Sequence, residues 1–192
     1  MSFVTGGLYL NETLAVAAQH EPGAAWEETA ARALRAGAFP VRKESSAKRT
    51  IREITHRLRC LDTEELELLA NGDRDDQVAI LWLAVCRAYR FIREFAAEII
   101  SDRLASYRTD VSYEDFDAFF ARKAEWSPQL ARISDKTRAK LRAVMFRLLR
   151  EAGITTDEML IRPALLSPRI WDLINKNDAS EFRYFPGAKR FP

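Results

Sequence analysis

Lys48, Arg49, Arg52, His56 and Arg59 recur at steps that a helix folds onto one side. At about 100° per residue they share an arc of about 100°. Lys136, Lys140, Arg147 and Arg150 fall within an arc of about 80° on a second helix. Strips of this kind suit the grip of a polyanion, because ammonium and guanidinium groups donate charge-assisted hydrogen bonds to phosphate oxygens. His56 would add charge only below about pH 6.5. With 30 Lys and Arg against 28 Asp and Glu, the formal net charge is +2, so the basic residues are sorted rather than abundant.

Residue patterns for bond-making chemistry are missing. His20 and His56 form no helical His-x-x-x-His metal pair, and no lysine has an acid two positions earlier, a spacing frequent in two-metal nucleases. Gly6-Gly7 lacks the remaining glycines and Lys-Ser/Thr of a phosphate loop, and no Gly-x-Ser-x-Gly elbow occurs. Glu64-Glu65 and Asp75-Asp76 are adjacent, so on a helix each pair diverges by about 100° instead of converging on one substrate atom. Cys60 and Cys86 belong to no Cys-x-x-Cys pair, and with both histidines they read as structural residues in a reduced, cytoplasmic setting. The expectation is a binder rather than an enzyme, with no cofactor and no metal.

The elements that must position the cations are helical. Ala, Leu, Arg and Glu dominate, with only 7 Gly and 7 Pro, and 47% hydrophobic content supports a real core. Asn11 is placed to cap a first helix, and a second, over residues 24–36, stops at Gly37 before an extended link at Phe39-Pro40. Ser45 or Ser46 opens the first basic helix, whose inner side is Ala47, Ile51, Ile54, Leu58 and Leu61. Asp62 opens a helix ending at Asn71-Gly72. The spacing then predicts one long central helix over 75–106, apolar nearly all round in its first half.

A polar break at 107–112 divides the chain into two helical subdomains, 1–106 and 107–192. Ser112 caps a Phe-rich helix, Ser127-Pro128 starts a short turn, and Ser134 opens the second basic helix, which stops at Gly153. Leu160-Ile161-Arg162-Pro163 allows a short strand pair near the C-terminus, and Ser167-Pro168 starts a helix containing Trp171. Trp26, Trp82, Trp126 and Trp171 are expected as core anchors, and the aromatic-basic tail from Phe182 is expected to dock on its own chain. The longest apolar run, residues 78–86, is far short of the roughly 20 residues that span a bilayer, and the start of the chain shows no secretory pattern. A membrane partner is not expected.

The residues alone leave two readings of the first strip open. The cations belong either to a site for a polyanion or to a solvated face whose charges pair with the acids between 62 and 76.

Laid in order, several segments resemble the BrxA family, the small phage-defence protein A of BREX systems, a group once labelled inner-membrane proteins. The resemblance rests on Thr5-Gly6-Gly7-Leu8 with Glu12, on Ser45, Lys48-Arg49-Thr50, Arg52-Glu53-Ile54 and Arg57-Leu58, and on Tyr89, Phe95 and Glu98. Ser134, Thr137, Lys140-Leu141 and Glu151-Ala152-Gly153 continue it. It implies an all-α cytoplasmic protein, partly similar to helical antitermination factors, without catalysis and able to bind double-stranded DNA within a phage-resistance system. Other BREX components would be further partners. A protein-interaction scaffold without DNA contact and an RNA-binding helical factor are the alternatives.

Overall fold

Helical periodicity is realised almost throughout. The computed structural model describes residues 6–38 and 44–191, so Thr5 and the link expected at Phe39-Pro40 lie outside the described residues. Eleven α-helices dominate the described residues, and the chain is all-α as its composition implies. Its contacts gather into two compact units, one of Leu8–Ala88 and one formed from Tyr89 onward and joined by Gly7. The division therefore falls between Ala88 and Tyr89 rather than at 107–112. Tyr89 leaves the helical backbone there, with φ −127° and ψ 98°.

The first unit holds α1 (Leu10–Ala17), α2 (Trp26–Arg35), α3 (Glu44–Leu58), α4 (Thr63–Asn71) and α5 (Arg74–Ala88). Tyr9, in the left-handed region at φ 59°, precedes α1, so Asn11 lies inside the helix instead of capping it. Ser45 and Ser46 likewise lie within α3. Every residue from Ile80 to Cys86 is at most 1% exposed, which makes α5 the core helix that an all-round apolar surface requires.

Two buried ion pairs tie this unit together. Glu65, fully buried, closes a capping box with Asp62 and accepts both Arg87 Nη groups, at 2.6 and 2.8 Å. Arg87 Nη1 also donates to the Cys60 carbonyl at 3.0 Å, so one guanidinium joins the end of α3, the start of α4 and α5. Arg57, 2% exposed, donates to Glu53 Oε1 from Nε at 3.1 Å and Nη2 at 2.8 Å. The acids at 62–76 are thus only partly a solvated face, since Glu65 and Asp76 are interior.

In the second unit the single helix expected to 106 becomes α6 (Arg90–Phe95), a π-helical turn (Ala96–Ser101) and α7 (Asp102–Ala105). The polar break ends that run at Tyr107, φ 59°, as a turn inside the unit. Next come α8 (Tyr113–Ala124), α9 (Pro128–Ala131), α10 (Asp135–Glu151) and α11 (Pro168–Asn177). Ser112, Ser127, Ser134 and Ser167 each cap one of these by accepting a backbone N–H three residues on, as their positions predict. Phe91 and Phe95 meet Phe119 edge-on at 5.0 and 5.3 Å, and Phe116 and Phe120 complete the cluster.

Two expectations are corrected here. Trp126 is 85% exposed and anchors no core. The strand pair exists, but it is β1 (Leu165–Leu166) paired in parallel with β2 (Lys189–Arg190), while Leu160 and Ile161 form only isolated bridges with Asp110 and Thr155. The tail docks in part: Phe182 packs on Trp171 at 4.4 Å and Phe185 is buried, but Phe191 is 55% exposed.

Removing one partner of a buried pair leaves the other uncompensated, so Arg87→Ala is expected to cost roughly 3–5 kcal/mol, read as a lowered urea midpoint. A surface-like loss below about 1 kcal/mol would contradict the structural role of the pair.

Asp115 supplies a pH signature. Burial pushes its carboxyl up, but the Ser112 backbone N–H and Arg103 outweigh burial and hold it below the ordinary aspartate value. Its contribution to stability is therefore complete above the unfolded-state value of about 3.9 and is lost as pH falls through the lower folded value. The stability gap between the native chain and Asp115→Asn should narrow as pH drops below about 3.9, and a gap independent of pH would contradict this.

Candidate nucleic-acid interface

Helix α3 is built to show one face. Ala47, Ile51, Ile54 and Leu58 are buried at helical spacing, and Lys48, Arg49, Arg52, His56 and Arg59 are exposed on the other side. The five share that exposed side as the sequence predicts, but their electrostatic states differ. Lys48 Nζ lies 2.7 Å from Glu44 Oε1 one turn back. Arg59 reaches across to Glu27 on α2. Neither cation meets the acids at 62–76. Arg49 and Arg52 are exposed and carry no ion pair among the described residues.

Both masking acids stay ionised at neutral pH. The Lys48 ammonium holds Glu44 below its ordinary value, and the Glu27 backbone N–H with Arg59 does the same for Glu27. All four groups are largely exposed, with side chains 44% to 73% accessible, so the pairs are weak and salt-screened. A phosphate backbone can compete for Lys48 and Arg59, whereas Arg49 and Arg52 need no such exchange.

A groove of about 450 Å³ runs between α2 and α3, lined among others by Trp26, Leu34, Ile51 and Arg52. Trp26 is half-buried and stacks on His20 with ring centroids 4.0 Å apart and planes within 5°. His20 Nδ1 is 2.8 Å from Thr29 Oγ1, which fixes the ring. Sequence reading placed Trp26 in the core and missed this groove, because a tryptophan at helical spacing looks the same whether it faces the interior or a cleft.

Helix α10 repeats the arrangement within the second unit. Leu141, Met145, Leu148 and Leu149 are buried, while Lys136, Lys140, Arg147 and Arg150 are exposed. Arg147 pairs with Glu151 at 2.7 Å and Arg150 with Asp157 at 3.4 Å. Lys136 and Lys140 carry no ion pair among the described residues. An alanine Cβ at Gly7 would come within 2.5 Å of a Glu151 carboxylate oxygen, so Gly6-Gly7 and Glu151-Ala152-Gly153, far apart in sequence, meet in space.

Among the described residues no group of three or more His, Cys, Asp or Glu is placed to hold a metal ion, and no helix is long and apolar enough to cross a membrane. Among the described residues Cys60 and Cys86 form no disulfide, and burial pushes the Cys60 thiol up despite nearby Arg87.

Fold and surface together define an all-helical protein with one-sided basic helices. Its family follows from comparison: the BrxA family model matches residues 1–178, and the chain belongs to that family. It is 29% identical over 131 residues to BREX protein BrxA of Bacillus cereus (strain H3081.97), an alignment covering 68% of this chain and 66% of that one. Against BREX protein BrxA of Escherichia coli O9:H4 (strain HS) it is 27% identical over 109 residues, 57% of this chain and 51% of that one. The chain thus spans between half and two thirds of the length of these relatives. The crystal structure of an uncharacterized protein from Magnetospirillum magneticum has the same fold, with TM-score 0.79, 18% identity and coverage of 94% and 93%.

If Glu44 and Glu27 mask their partners, Glu44→Gln and Glu27→Gln should each raise the salt concentration that elutes the chain from heparin, with urea midpoints unchanged. Unaltered elution would show that neither acid restrains its cation.

Proposed function

We propose that the protein is a non-enzymatic, cytoplasmic component of a BREX-type phage-defence system that holds duplex DNA by its backbone. Membership of the BrxA family, with relatives named BREX protein BrxA, supports the defence setting. That Cys60 and Cys86 form no disulfide among the described residues fits a reduced compartment. The observation that carries the DNA reading is the set Arg49, Arg52, Lys136 and Lys140, exposed cations without carboxylate partners among the described residues, on two helices whose other sides are core. Lys48, Arg59, Arg147 and Arg150 join after exchanging weak partners, and His56 contributes when protonated. Neither α3 nor α10 contains Asn or Gln, the residues that read adenine edges, and contacts from the cations to phosphates carry no sequence information, which supports binding largely independent of sequence.

A scaffold that meets other BREX components is the second reading. It is favoured by the cations already paired on both helices and by the exposed rings of Trp126 and Tyr107, 85% and 96% accessible.

The native chain should shift an unrelated duplex at low salt in an electrophoretic titration. Arg49→Glu with Arg52→Glu should abolish the shift, and Lys136→Glu with Lys140→Glu should weaken it. A native chain that shifts no duplex would leave the scaffold reading, and competition by RNA at lower concentration than DNA would redirect the assignment to RNA.

A further inference from the structure

We infer that the second unit contains a cavity for a small ligand's phosphoryl group, separate from the proposed DNA contacts. It has a volume of about 370 Å³ beside α6 and the π-helical turn, and its walls include Arg90, Arg93, Glu94, Glu98, Arg183 and Tyr184. Sequence reading singled out none of its arginines, because they come from segments 90 residues apart and form no strip on one helix.

The charge balance is the central observation. All four carboxylate oxygens of the two acids are occupied: Glu94 Oε1 by Arg90 at 2.6 Å, Glu94 Oε2 by Lys123 at 2.9 Å, Glu98 Oε1 by Lys123 at 2.7 Å and Glu98 Oε2 by Arg122 at 3.0 Å. Arg93 and Arg183 line the same cavity and carry no ion pair among the described residues. Three arginines and two glutamates line the cavity, and with both acids taken by Arg90, Arg122 and Lys123, Arg93 and Arg183 are the two guanidinium groups of the lining left over. Burial pushes Glu94 up, but Lys123 and Arg90 more than offset it and keep the carboxylate ionised at neutral pH.

The backbone around the cavity is specialised. Ala97 and Glu98 reach it from the π-helical turn, a winding frequent at functional sites. Ser101, at the end of that turn, donates its hydroxyl to the Arg183 carbonyl at 2.8 Å and so anchors the segment carrying the second unpaired guanidinium.

A single carboxylate can fork onto one of these two guanidinium groups, whereas a phosphomonoester or diphosphate has charge and oxygens enough for both. The volume lies near the small end of ligand pockets, which admits a group of about mononucleotide size and excludes a duplex. A free nucleotide or a 5′-phosphorylated strand end could present that group.

Calorimetric titration of the native chain with pyrophosphate tests the site. Saturable one-to-one binding is expected, weakened roughly tenfold or more by Arg93→Ala or Arg183→Ala and less by the corresponding Arg→Lys exchanges. Circular dichroism checks that each variant is folded, and Arg49→Ala with Arg52→Ala should leave pyrophosphate binding intact even where it removes the DNA shift. Competition by ADP would name a free nucleotide as the source, and competition only by a 5′-phosphorylated duplex would name a strand end. Absence of saturable binding, or binding unchanged in folded Arg93 and Arg183 variants, would overturn the inference.

Discussion

The forked contact between Arg87 and Glu65 is the constraint on which the first unit depends. Glu65 lies at the first turn of α4, caps that helix through Asp62, and is fully buried against a guanidinium from α5 that also holds the last carbonyl beyond α3. A buried carboxylate without this partner would be strongly unfavourable, so the three helices are fixed together. Arg57 and Glu53 extend the same logic along α3, one helical turn apart and facing inward. With its inner charges matched in this way, α3 has only one side left on which to show Arg49 and Arg52.

Carboxylate placement then decides which surface cations are available. Lys48 and Arg147 have an acid one helical turn away, and Arg59 and Arg150 reach an acid on a neighbouring segment. Arg49, Arg52, Lys136 and Lys140 have neither. Exposed pairs hold their members loosely, so a polyanion would meet two grades of cation on each helix. The polar cavity of the second unit follows the same rule, with four cationic contacts to two acids and two guanidinium groups left over.

Much of this was legible in the sequence, and what was not has identifiable causes. Serine and aspartate caps at Asp62, Ser112, Ser127, Ser134 and Ser167 are local chemistry, and all five form. The all-round apolar surface of α5 correctly marked it as the core. The break at Tyr89 had no such signal, because no Gly or Pro interrupts the periodic run. Arg57 and Glu53 look like ordinary surface charges in sequence, since burial of an ion pair leaves no trace in spacing. Pairing of Lys48 was readable from Glu44 at i−4, but the partner of Arg59 required knowledge of how α2 meets α3.

Backbone binding of this kind requires cations that reach phosphates without neutralisation by the chain's own acids. The measurement that tests it most directly is the affinity for a random-sequence duplex over a series of salt concentrations. If Arg49 and Arg52 each neutralise one phosphate, log affinity should fall against log salt with a slope of about −1.8, steeper if further cations join. A slope near zero, or no measurable duplex affinity at low salt, would contradict it.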